Sequence, residues 1–274
     1  MIKNIMKSAT AVAIMVAMGS GVANAQACEE TQFSSTNAEN YLTAETELLV
    51  NDNPQAALVA LNALKAQQLN CYEEGAALRL GAAIKIQTED YEGAVNDLLL
   101  AIDRGYIPPA EQKTTFYNIS QIYLSSNNKE KALEYFDKWM AAGGVPDRGQ
   151  KWTLAVLYQQ MDRFPESLVW AEQVLEADGP GADRSVYDFL IFLYDKTGNF
   201  AKKAELLELL LARDPSDRRL WDAIAGDYFR GGQDRKAFEV QKAMYLAGIL
   251  QTEDELMRIV NFYNSFDVPY AAAK

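Results

Sequence analysis

Histidine is absent from all 274 residues, which removes the side chain that most often serves as general base near neutral pH and as zinc ligand. The two cysteines, Cys28 and Cys71, are too few for a thiolate zinc site, and their even number suits a disulfide in an oxidising compartment. Carboxylates cluster at Glu89-Asp90 and at Glu253-Asp254-Glu255, and paired carboxylates can do acid–base work. Both clusters fall where turns and helix starts are expected, and there negative charge favours the helix dipole. The stretch GPGADR, residues 179–184, has Pro180 inside it and no strand before it, so it reads as a loop rather than a phosphate cradle. These residues point to no enzyme, no cofactor and no metal site.

The elements around them divide as 1–25, 26–36 and 37–274. Residues 1–25 carry Lys3 and Lys7, an apolar run from Ala9 to Met18, and the small-x-small triplet Ala23-Asn24-Ala25, the pattern of a secretory signal peptide. The run is shorter than the roughly 20 apolar residues of a spanning helix, so no stable membrane span is expected after cleavage. Loss of two lysines takes the formal charge from −12 to −14, which disfavours nucleic acid as a partner. Export would place Cys28 and Cys71 where they can pair, tying the arm of residues 26–36 to a helix. Lipid attachment at Cys28 is the rival fate, but Ala25-Gln26-Ala27 lacks the residues expected before a lipidated cysteine.

Residues 37–274 repeat. In LWDAIAGDYFRGGQDRKA, residues 220–237, Trp221, Ile224, Ala225 and Tyr228 share one helix face, and Gly231-Gly232 ends that helix. A second helix follows from Arg235 to about Ala247. The small residue near the start of each such second helix recurs at Ala57, Ala94, Ala132, Ser167, Lys203 beside Ala204, Ala237 and Ala272, at steps of 34 to 38 residues. An aromatic stands nine residues before most of these anchors, at Tyr123, Tyr158, Tyr194, Tyr228 and Tyr263, and bulky residues stand sixteen before, at Tyr41, Phe116, Tyr187 and Trp221. In RDPSD, Pro215 stops a helix and Ser216 or Asp217 is placed to cap the next. A period near 34 with these anchors is the tetratricopeptide pattern. The expected fold is all-α: a right-handed superhelical solenoid of antiparallel helix pairs, with about six hairpins and an incomplete seventh. Lys203 departs from the small-anchor rule, and a one-residue shift onto Ala204 would restore it.

From Gly181 onward, and most of all in its VPYAAAK ending, the chain resembles the periplasmic tetratricopeptide proteins that accompany TonB, ExbB and ExbD energy-transduction systems. The earlier stretch with YEGA and NISQIYLSSNNKEKALEYFDKWM is similar more loosely. The resemblance implies a periplasmic, non-enzymatic accessory of outer-membrane transport and supplies no catalytic residues. A scaffold for peptidoglycan or outer-membrane assembly is the alternative.

A binding face is expected on the first helices of successive hairpins, at the positions that packing does not use. Counted from the anchors these are Tyr117 and Gln121, then Trp152 and Gln159, then Asp188, Phe192 and Asp195, then Asp222 and Phe229. Aromatic faces suit proline rings and extended peptide, and carboxylates suit lysine. A protein partner with a lysine- and proline-rich segment, such as the TonB spacer, fits that mixture. Trp152 and Phe192 fit packing between hairpins equally well.

Overall fold

A computed structural model describes residues 28 and 30–265. The proposed signal peptide, the anchor Ala272 and the VPYAAAK ending lie outside the described residues. Among those described there are thirteen α-helices and no strand. In order they are α1 (Ser35–Leu49), α2 (Pro54–Lys65), α3 (Cys71–Gln87), α4 (Tyr91–Asp103), α5 (Pro109–Ser125), α6 (Lys129–Ala141), α7 (Arg148–Gln160), α8 (Phe164–Asp178), α9 (Arg184–Lys196), α10 (Phe200–Leu211), α11 (Arg218–Arg230), α12 (Asp234–Leu246) and α13 (Glu253–Ser265). The fold is all-α, of tetratricopeptide-type hairpins. The chain forms two compact units, Met1–Thr115 and Phe116–Lys274, with the boundary inside α5. Residues 179–181 make a single 3₁₀ turn before α9.

Each hairpin turns in the same way. The residue five before the anchor has a left-handed backbone: Asp52, Glu89, Asn127, Asp162, Gly198 and Gly232, with φ between 50° and 70°. The next residue then caps the second helix. Asn53, Asp90, Asn128 and Asn199 each accept a hydrogen bond from the N–H three residues on, at 3.0–3.4 Å, which satisfies one of the helix's free donors. Arg163 and Gln233 stand at this place without a side-chain cap. Further along, Asp217 rather than Ser216 caps α11, accepting from Arg219 N.

The anchors are buried. Ala57, Ala94, Ala132 and Ser167 are fully enclosed and Ala237 nearly so, as is Ala225 across from it on α11. Ser167 is the polar one, and its hydroxyl donates to the Ala155 carbonyl of α7 at 2.7 Å, so the close approach leaves no buried donor unmet. Lys203 does not shift its hairpin. Its N–H bonds the Asn199 carbonyl at 3.0 Å, as the N–H of every other described anchor bonds the carbonyl four residues back, so it holds the anchor place and Ala204 is buried beside it.

In the first unit, Cys28 and Cys71 form a disulfide with their Cα atoms 5.5 Å apart. Closing a loop of 43 residues is worth about 4 kcal/mol by chain entropy. The arm is also held without it. Ser34 N donates to Glu73 Oε1 at 2.7 Å, Asn37 Nδ2 to Glu73 Oε2 at 2.8 Å, and Phe33 lies between Tyr41 and Tyr72 with ring centroids at 4.6 and 5.4 Å. Burial alone would raise the Glu73 carboxyl, but the N–H groups of Asn70 and Ser34 and the Asn37 amide outweigh it and hold it below the ordinary value. Gly75 is needed where α3 meets the loop after α4, because a Cβ there would stand 2.8 Å from that of Tyr106.

Candidate binding surface

In the second unit the aromatic column serves packing. Tyr123, Tyr194 and Tyr228 are buried, and Tyr158 is half-buried. Tyr158, Tyr194 and Tyr228 each meet an acid five residues past the previous anchor. Tyr194 donates to Glu172 at 2.8 Å and Tyr228 to Glu208 at 2.9 Å, while Asp137 lies close enough to Tyr158 for its charge to raise that phenol after burial does. Burial and then the hydrogen bond push the Tyr194 and Tyr228 phenols well above their ordinary value. Lysines lie over the same rings: Lys131 at 5.0 Å from Tyr123, Lys202 at 6.0 Å from Tyr194 and Lys236 at 5.0 Å from Tyr228. This acid–tyrosine link between successive hairpins was missed in the sequence, although its signal, Asp137, Glu172 and Glu208 at one offset from the anchors, was there.

The nine candidate residues divide into packing and exposed groups. Tyr117 is half-buried against Trp139 at 5.2 Å and Phe136 at 5.9 Å, and Gln121 bonds Ser120 Oγ at 3.3 Å. Trp152 packs on Phe189 at 4.9 Å, with Arg148 over it, and Gln159 is half-buried. Phe192 meets Phe164 edge-on at 5.8 Å but keeps part of its surface, and Phe229 is 60% exposed. Asp188, Asp195 and Asp222 are exposed on α9 and α11.

None of the three acids is free. Asp188 pairs with Arg184 at 2.7 Å, Asp195 with Lys203 at 2.6 Å, and Asp222 with Arg218 at 3.5 Å. The hydrogen bond from Lys203 holds the Asp195 carboxyl below its ordinary value. Counting acids on this face overestimated its negative charge, because the cations that answer them come from the same helix or the next one. Lys203 extends from its anchor place to Asp195 on α9 and to the buried Asp227 on α11, at 3.5 Å. Arg230 binds the other Asp227 oxygen. The chain α9–α10–α11 is thus joined by one run of charges beside Phe192 and Phe229.

Among the described residues, Cys28, Glu30 and Cys71 bring ligand atoms close enough to hold a metal. The two sulfurs are committed to each other in the disulfide, so the group does not fit a metal ion. No described helix is long and apolar enough to cross a membrane.

Residues 114–138 match the family model described as Tetratricopeptide repeat. No curated protein matches the sequence. Similar solved structures include a tetratricopeptide repeat protein from Parabacteroides merdae, 15% identical over 88% of this chain and 90% of that one, with a TM-score of 0.44. The TPR2AB domain of yeast Sti1, in its pHSP90 complex, is 14% identical over 88% and 99%, TM-score 0.40. YrrB, titled a TPR protein with an unusual peptide-binding site, is 12% identical over 80% and 98%, TM-score 0.40. These similarities bring no ligand or partner to this chain. What stands is an all-α protein of tetratricopeptide-type helical hairpins, with the repeat itself recognised at residues 114–138.

Proposed function

We propose that the protein is a non-enzymatic interaction scaffold of the periplasm, an accessory of a TonB-dependent outer-membrane transport system, which holds an extended partner segment on α9 and α11. The observation that carries this reading is the exposure of Phe229, Asp188 and Asp222 at first-helix positions, beside the part of Phe192 that its contact with Phe164 leaves uncovered. The disulfide accords with an oxidising compartment, and the resemblance of the C-terminal third supplies the TonB association. Because each acid already holds a cation, lysines of a partner must displace Arg184, Lys203 or Arg218. Affinity then comes mainly from the aromatic side chains, and charge adds a modest, salt-screened share over about 8 Å.

The test is a pull-down from periplasmic extract with the exported protein as bait, followed by titration with a lysine- and proline-rich peptide at low and high salt. Recovery of a TonB-complex component, and a peptide affinity that Phe229→Ala weakens more than Asp222→Asn, is the expected result. Recovery of peptidoglycan- or outer-membrane-assembly proteins alone would move the function to envelope assembly. No partner and no peptide binding would remove the reading.

A further inference from the structure

The first hairpin carries two features that point to the same kind of occupant. Its outer stripe is aliphatic: Leu42, Leu49 and Val50 are 57%, 68% and 76% exposed; Leu42 and Leu49 fall at i and i+7 on one side of α1, and Val50 is its C-cap. A shallow depression of about 540 Å³ lies along this side, lined by Leu42, Thr43, Thr46, Glu39 and Glu47 among others. The hairpin is also acidic: it carries Glu39, Glu45, Glu47 and Asp52, and its one cation is Lys65 in the last turn of α2. Among the described residues, Glu39 and Glu47 have no ion pair, whereas Asp188, Asp195 and Asp222 each hold a cation of their own chain.

We infer that this side of α1 is a docking surface for a basic segment of another protein that carries apolar side chains along one side. Exposed leucine and valine supply the non-directional part of the association, and the two unpaired carboxylates select its sign. A cation approaching Glu39 or Glu47 has no intrachain cation to displace, so the attraction that pairing cancels on α9 and α11 is available here. A second copy of the chain is a poor occupant, because a two-fold contact through α1 would bring carboxylates of the same helix toward each other. An anionic membrane surface meets the same repulsion. This surface shares no residue with the one on α9 and α11, and the inference does not rest on the proposed function.

The probe is a labelled amphipathic lysine–leucine peptide about five helical turns long, with a glutamate–leucine peptide of the same pattern as its counterpart. Both are titrated by fluorescence anisotropy into the full chain, into Glu39→Lys/Glu47→Lys, into Leu42→Ser/Leu49→Ser, and into Asp188→Asn/Asp222→Asn. All four α1 substitutions fall on exposed or half-buried positions, and circular dichroism and melting confirm that each variant is folded. The expected result is binding of the lysine peptide alone, weakened about tenfold by either α1 double variant and unchanged by the α9/α11 variant. Equal binding of both peptides, indifference to the α1 variants, or a loss confined to the α9/α11 variant would overturn the inference. So would sedimentation showing that the α1 variants abolish self-association while peptide binding stays as it was, since the occupant would then be a second copy.

Discussion

Hairpins α7–α8 and α9–α10 occupy equivalent places in the repeat and solve the same packing problem in opposite ways. In α7–α8 the two contact positions are Ala155 and Ser167, both fully buried, and the helices approach closely enough for Ser167 Oγ to reach the Ala155 carbonyl. In α9–α10 the same positions hold Ile191 and Lys203. There the side chains are too large for close approach, and α10 packs more extensively on α11 than on its own partner α9. The Lys203 stem stays mostly covered while its ammonium reaches Asp195 and Asp227, the way a long cation buries its methylenes and keeps its head among polar groups. The difference teaches that the repeat does not demand a small anchor. It demands that whatever sits there be matched, by volume in one hairpin and by carboxylates from two neighbouring helices in the other.

Substitutions can sharpen or break this comparison. The largest effect is expected at Tyr194, which is buried and bonded to Glu172: Tyr194→Ala should cost about 4 kcal/mol by chemical denaturation. The half-buried Tyr158 in the α7–α8 hairpin should cost clearly less, and equal losses would mean that the two hairpins are packed alike. Asp227→Ala should cost about 3 kcal/mol, because it leaves the largely covered Lys203 without its buried partner. Ser167→Leu should cost about 2 kcal/mol by overpacking the close contact with α7, and an unchanged melting temperature there would show that the hairpin has room to spare.

The smallest effect is one of pH. Glu255 accepts from the N–H groups of Thr252 and Gln251 and from Arg218 of α11, and these lower its pKa from 4.5 to about 2. A folded-state value below the unfolded one means the contribution is fully present above about pH 4.5 and is lost as pH falls toward 2. Protection of the α13 amides, measured as exchange relative to the intrinsic rate at each pH, should therefore fall across that window, and Glu255→Gln should remove that fall.

The repeat was legible because it is written in residue types at fixed offsets: the anchors from Ala57 to Ala237, and the tyrosines nine before them. The turns were less so. Glycine marks the left-handed residue at Gly198 and Gly232, but the same conformation is held by Asp52, Glu89, Asn127 and Asp162; Asn and Asp serve as caps as readily as at positive φ, and Glu89 carries no such signal. At the candidate site, exposure of Phe229 and the acids followed from register. Their pairing did not: Arg184 and Arg218 lie one turn before Asp188 and Asp222 on the same helices, and Lys203 stands at an anchor place where a small residue is expected. Trp152 and Tyr117 look the same in sequence as Phe229, and only their ring neighbours Phe189 and Trp139 separate packing from surface.

The account of α9–α10 depends on Lys203 being retained at the anchor place by its carboxylates, and a double-mutant cycle with Lys203→Ala and Asp227→Ala measures that directly. With both residues replaced, the loss of stability should be smaller than the sum of the two single losses by at least about 1 kcal/mol, because removing Lys203 relieves the covered cation that Asp227→Ala leaves with Asp195 alone. Losses that add to within about 0.5 kcal/mol would show that the two residues do not support each other, and that the hairpin accommodates Lys203 in some other way.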